Sequence, residues 1–132
     1  MAMILTKRVY SEASSRDGDR ILVDRVWPRG ISKERARIVA WRKDLAPTTS
    51  LRKWFGHEST RWLEFTRRYE AELRKAGLME ELRNLARVSR KKTITLVYGA
   101  ADEEHNQAVV LKRLIEKGSR HPKRRPRGTT SR

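Results

Sequence analysis

The chain has no cysteine, which excludes a disulfide framework, a thiolate zinc site and a thiol nucleophile. That composition fits a reducing compartment, and a cytoplasmic protein is expected. Long hydrophobic runs are missing too. Met3-Ile4-Leu5 gives way at once to Lys7-Arg8, so neither a signal peptide nor contact with a membrane is expected. GxGxxG, Walker A and GxSxG loops are absent. His57, His105 and His121 lie far apart with no HxH or HExxH spacing, so no metal site is expected. Acids are scarce: 16 Asp and Glu face 32 Lys and Arg, a net charge of +16 on 132 residues. A chain of this length supports one core.

What is present alternates between strand and helix signals. Ile4–Val9 reads as a strand, and the polar stretch Ser11–Gly18 ends in the turn pair Asp17-Gly18. Ile21–Val26 reads as a second strand, apolar enough to be covered on both faces, as parallel sheets require. About ten residues separate the two, short for a parallel crossover with a helix, so pattern alone leaves their relative direction open. Pro28 ends the second strand and Gly30 permits a tight turn. Ser32 can cap a short helix at Lys33–Arg37. Residues 37–42 suit a short edge strand or a helix, and Pro47 breaks either.

Thr48-Thr49-Ser50 supply N-caps for a brief helix through Phe55, stopped by Gly56. Thr60–Lys75 is a long helix with Trp62, Phe65, Tyr69 and Leu73 along one face. Beyond Gly77, Leu78, Leu82, Leu85 and Ala86 stripe another helix. Thr93–Tyr98 is a β-branched strand, Gly99-Ala100-Ala101 turns the chain, and Asp102 is positioned to cap a last helix at Glu103–Lys117. The order predicts an α/β fold: a small three-layer sandwich whose mostly parallel sheet of three to four strands is flanked by helices. Residues 1–117 form the domain. Residues 118–132 have nothing apolar to bury and are expected to be a disordered basic tail.

The densest chemistry is DGDRILVDRVWPRG, residues 17–30. An apolar run ends there in an acid, two guanidinium groups and an indole, and the carboxyl ends of strands are where open α/β sheets bind ligands. Asp24 is a candidate proton acceptor, or a structural partner of Arg25, Arg29 or Lys43. Its arginine neighbours are expected to hold it ionised. Arg29 beside Gly30 suits bidentate recognition of phosphate or carboxylate, with Arg25 as a second anion contact. Trp27-Pro28 either stacks on a base or packs as a corner.

A second cluster follows the strand at 93–98: Tyr98, then Glu104-His105-Asn106 near a helix amino terminus, which suits an anion. The unperturbed pKa of a histidine side chain lies near neutrality, which makes His105 a candidate general acid or base, although a first-turn histidine also serves as a surface residue. Around Lys43 and Leu51-Arg52-Lys53-Trp54-Phe55, basic and aromatic residues interleave, as in nucleic-acid grooves and in ordinary amphipathic helices alike.

These segments, with WRKDLAP (41–47), LRKWFGH (51–57), RWLEFTRRYEAEL (61–73) and ITLVYGAADEEHNQAVVL (94–111), resemble the YeaO-like branch of the domain-of-unknown-function 488 family over roughly residues 4–116. The resemblance implies a compact α/β domain of unassigned activity. It also implies parallel first and second strands, because longer relatives place a helix between them, and it includes Lys43 and Arg52 as candidates. Other branches carry a Cys-x-Glu…Cys-His-Arg pattern whose cysteines this chain lacks.

Two functions compete. In one, a basic pocket at the strand carboxyl ends binds a phosphate-containing small molecule or nucleotide, with or without catalysis by Asp24 and His105. Its contacts would be Arg25, Trp27, Arg29, Lys43, Arg52, Tyr98 and Asn106. In the other, a non-catalytic basic surface binds nucleic acid nonspecifically. The sequence leaves cofactor and oligomeric state open. Residues 118–132 carry six of the Lys and Arg and no acid, leaving +10 on the rest. Deleting residues 119–132 is expected to weaken nonspecific DNA binding and flatten its salt dependence without changing Tm. An unchanged salt slope in a binding titration would show that the tail is idle.

Overall fold

The computed structural model describes residues 3–119, so the expected tail lies outside the described residues except for its first two positions. Four strands form one sheet: β1 (Ile4–Arg8), β2 (Asp19–Leu22), β3 (Ala40–Trp41) and β4 (Ile94–Tyr98). Their spatial order is β1-β4-β2-β3, and every neighbouring pair is parallel. β4, the last in sequence, sits in the interior and is buried at all five positions. Its residues, Ile-Thr-Leu-Val-Tyr, are β-branched, aromatic or aliphatic throughout, as a strand covered on both faces demands. The direction left open by pattern is settled: β1 and β2 both run parallel to β4, which lies between them.

The helices are α1 (Lys33–Ala36), α2 (Thr49–Phe55), α3 (Trp62–Lys75), α4 (Met79–Ser89) and α5 (Gln107–Ser119). On one face of the sheet, Ile4, Ile21, Ile94, Leu96 and Tyr98 join a core with Phe55, Phe65, Tyr69, Leu82, Leu85 and Leu111 from α2 to α5. On the other, Leu22 and Val97 pack with Val9, Ile31 and Ala36, and with half-buried Trp27, Ile38 and Trp41. The second layer is thin: α1 is a single turn, capped by the Ser32 side chain accepting from Arg35 N–H. Residues 40–41 are the short edge strand, and Thr48 caps α2 through Leu51 N–H.

Two boundaries differ from expectation. β2 covers Asp19–Leu22 rather than Ile21–Val26. Val23 N–H still donates to the Val97 carbonyl at 3.0 Å. Beyond it, the Asp24 carbonyl accepts from the Trp41 indole N–H at 2.7 Å, which draws the chain out of the ladder. α5 begins at Gln107 rather than Glu103. Asp102 closes a local turn instead, its Oδ1 accepting from Glu104 and His105 N–H at 2.9 and 3.1 Å. Asn106 is the true cap, its Oδ1 accepting from Val109 N–H at 3.1 Å.

The thin layer is held by a buried ion pair. Asp17 and Arg20 are 4% and 3% exposed. Arg20 Nη1 donates to Asp17 Oδ2 at 2.6 Å, and Arg20 Nε donates to the Ala36 carbonyl at 2.8 Å, which fixes the end of α1. Asp17 also accepts from Lys7 Nζ at 3.0 Å and from Ser14 N–H at 3.0 Å. Burial alone would raise its pKa, but these hydrogen bonds outweigh it and hold the carboxyl below its ordinary value. The next residue must be glycine: Gly18 has φ +63°, and a Cβ there would lie 2.1 Å from the Thr93 carbonyl oxygen.

Asp17→Asn leaves a buried guanidinium without its counter-charge and is expected to cost about 3 kcal/mol in urea denaturation. A loss below about 0.5 kcal/mol would mean that the pair does not hold this layer.

Candidate functional site

The chain leaving β2 runs to α1 on the thin face, whereas the chain leaving β4 runs to α5 on the opposite face. Two adjacent parallel strands whose connections diverge in this way open a crevice at their carboxyl ends. A cavity of about 320 Å³ lies there. Its polar lining is Asp24, Arg25, Arg52, His57, His105, Asn106 and Gln107, and its apolar lining includes Val26, Pro47, Phe55, Phe65 and Ala100.

Asp24 occupies the junction. Its Oδ2 accepts from Gly99 N–H at 2.9 Å, and its Oδ1 accepts from the Gln107 side-chain amide. Gly99 makes this approach possible, because a Cβ there would meet Asp24 Oδ2 at 2.9 Å. Burial pushes the Asp24 carboxyl up to about 6, against the lowering effects of the Gly99 and Gln107 hydrogen bonds and the Arg52 charge. Of the arginines, Arg52 lowers it, so their hold on the carboxylate is weaker than expected. Desolvation outweighs them because Arg25 is aimed elsewhere, its Nε donating to the Pro47 carbonyl at 3.0 Å and its Nη2 to the Ala46 carbonyl at 3.2 Å.

His105 stands on the same cavity. Its Nδ1 is 2.9 Å from Asp102 Oδ2. The Asp102 carboxyl is held below its ordinary value by Glu104 N–H first and by His105 next, so it faces Nδ1 as an ionised acceptor. Trp62 packs edge-on to the imidazole, with ring centroids 5.1 Å apart. Asn106 is 2% exposed, and both ends of its amide are engaged: Oδ1 caps α5, and Nδ2 donates to the Asp102 carbonyl at 2.9 Å. Arg52 is exposed on α2, and among the described residues no hydrogen bond or ion pair engages its guanidinium.

Of the sequence candidates, Asp24, Arg25, Arg52, His105 and Asn106 are brought together on this cavity, and Trp27, Arg29, Lys43 and Tyr98 are not. Trp27 donates its indole N–H to the Ile31 carbonyl at 2.8 Å and meets Trp41 edge-on at 5.4 Å in the thin layer. The Arg29 side chain is exposed, while its carbonyl accepts from the Tyr10 hydroxyl at 2.6 Å. Lys43 Nζ lies 4.1 Å from the centre of the Trp41 ring. Tyr98 is buried in the core, and burial followed by the Glu103 charge raises its phenol.

Two lining residues escaped the sequence reading. In the sequence, His57 stands out only as one of three scattered histidines without metal-ligand spacing. It follows the Gly56 cap of α2 with φ +61°, a left-handed pair that swings it to the cavity. Gln107 carries no motif, and only the position of the α5 start brings it to Asp24. Among the described residues, no group of three or more His, Asp or Glu could hold a metal ion.

The Asp24 shift makes a signed prediction. A carboxyl near 4 when unfolded and about 6 when folded binds its proton more tightly in the native state. Its contribution therefore turns unfavourable as pH rises from about 4 to 6, reaching on the order of 2–3 kcal/mol above that window. Asp24→Asn keeps the site filled, with the Gln107 amide turned over to accept. It is expected to raise Tm near pH 8 and leave it unchanged near pH 4. Equal Tm differences at both values would show that Asp24 is not desolvated.

The family described as "Inactive DUF488-N3 subclade" matches residues 3–131. The uncharacterized protein YeaO of Escherichia coli strain K12 is 44% identical over 108 residues, covering 82% of this chain and 92% of YeaO. The uncharacterized protein Rv3073c of Mycobacterium tuberculosis strain H37Rv is 39% identical over 108 residues, covering 82% of this chain and 89% of the relative. No solved structure matches. No described helix is long and apolar enough to cross a membrane. With a family match over nearly its full length and such relatives beside it, the chain belongs to the DUF488 family, in its YeaO-like N3 subclade.

Proposed function

We propose that the cavity between the ends of β2 and β4 binds a small phosphate-containing or nucleotide-like ligand without turning it over. The observation that carries this reading is the free Arg52 guanidinium on a half-apolar cavity at a switch point, with Arg25 beside it. Pockets for small ligands combine an apolar lining with a few converging polar groups in this way, and a guanidinium fork suits a phosphate. The paired Asp102 and His105, together with Asp24 near neutrality, resemble an acid–base arrangement. The description of the family as inactive favours binding over catalysis, and Asp24 and His105 are then ligand contacts.

The net charge of +16 supports a second reading, a nonspecific nucleic-acid surface. Titrating nucleoside monophosphates, ribose 5-phosphate and a short oligonucleotide at two salt concentrations separates the two. Arg52→Ala is expected to weaken monophosphate binding at least about tenfold, with Tm unchanged because Arg52 is exposed and makes no hydrogen bond. Unaltered monophosphate affinity in that variant, or no affinity in the parent protein, would overturn the pocket reading.

A further inference from the structure

The hydrogen-bonding capacity of the cavity is sorted by depth. At the strand ends, the donors of the side-chain amides are already spent. The Gln107 side-chain amide donates to Asp24 Oδ1 and, at 3.4 Å, to the Val23 carbonyl. His105 commits Nδ1 to Asp102, and Asn106 commits its whole amide to the turn and the α5 cap. Arg25, with five donors, turns two of them to the carbonyls of Ala46 and Pro47.

Acceptors there are spare. An ionised carboxylate offers about four lone-pair positions, and one hydrogen bond reaches each oxygen of Asp24, from Gly99 and from Gln107. Among the described residues nothing engages Gln107 Oε1. The unengaged cation, Arg52, lies at the exposed rim. Phe55 and Phe65, stacked with ring centroids 4.4 Å apart, line the same cavity.

An occupant that complements this gradient needs N–H donors at its inner edge, a flat apolar body and an anionic arm pointing outward. A phosphosugar has hydroxyl donors but no flat apolar body, and its hydroxyls would meet the phenyl wall. Resting on the pocket reading above, we infer that the ligand is a nucleoside phosphate whose base edge carries two adjacent N–H donors, as guanine does, and that Asp24 is the residue that reads it. Hypoxanthine offers one such donor and no amino group. Adenine offers an amino group beside an acceptor that would face the carboxylate. Near pH 7.5 Asp24 is largely ionised and able to accept both donors.

The test is calorimetric titration near pH 7.5 with guanosine 5′-monophosphate, inosine 5′-monophosphate and ribose 5-phosphate. The guanine nucleotide is expected to bind at least about tenfold tighter than the hypoxanthine one, since hydrogen bonds to a charged group are the strong ones. Asp24→Asn is expected to abolish that preference. If this variant does not fold, the unmodified protein still decides the matter, because the preference is expected to fall away as pH drops through about 6 and Asp24 takes up a proton. Equal affinity for the two purine nucleotides, or ribose 5-phosphate binding as tightly as either, would overturn the donor-edge inference and leave the pocket reading standing. A preference that persists in Asp24→Asn or at low pH would remove Asp24 from the role. No binding of any of the three would remove the pocket reading and the inference together.

Discussion

The carboxylate of Asp24 is the point on which this molecule's two strand exits meet. One oxygen takes the N–H of Gly99 at the end of β4, and the other takes the side chain of Gln107 in the first turn of α5. Asp24 itself begins the departure from β2. Three chain segments, from two connections that leave the sheet on opposite faces, are thereby tied through one ionisable group. The tie is intrinsically tense. Removing a carboxylate from water costs more than two hydrogen bonds and one distant guanidinium return, and its raised pKa is the measure of that deficit. A group held at a disadvantage in an open crevice is a common mark of a binding or catalytic site. Here it gives the crevice its acceptor character.

A second carboxylate shows the opposite balance. Asp17 shows almost no surface, yet its pKa is lowered, because Lys7, Arg20 and Ser14 N–H all converge on it. It serves structure, locking the loop before β2 to the sheet and, through Arg20, to the end of α1. The two acids lie seven residues apart in the densest motif of the chain. Their contrast separates a residue that is fully satisfied from one that keeps unused capacity facing a cavity.

Much of the fold is legible in the residues. The even burial of β4 follows from its β-branched composition, the face of α3 from Phe65, Tyr69 and Leu73, and the ends of α2 from Thr48 and Gly56. What sequence leaves hidden is decided by tertiary contacts. Asp102 and Asn106 are both good cap residues, and only packing selects the second. Val23-Asp24-Arg25-Val26 has strand character, but the Trp41 indole and Gly99 draw it from the ladder. The site is legible in part for the same reason. Asp24, Arg25, Arg52, His105 and Asn106 follow from the strand-end rule and the family resemblance. Trp27 falls away because it packs on Trp41 in the thin layer, Arg29 lies outside the cavity lining, and His57 arrives only through the left-handed pair at the end of α2.

The basic excess of the chain and the acceptor-rich depth of its crevice fit the proposed reading, in which cations would gather an anionic ligand and a desolvated acid would select what lies behind the anion. The desolvation of Asp24 is the centre of that account. Its most direct test is an NMR titration of the Asp24 side-chain carboxyl carbon in the unliganded protein. A midpoint near 6 is predicted. A midpoint near 4, the ordinary value for an exposed aspartate, would show that the crevice is as wet as the surface and would contradict the account.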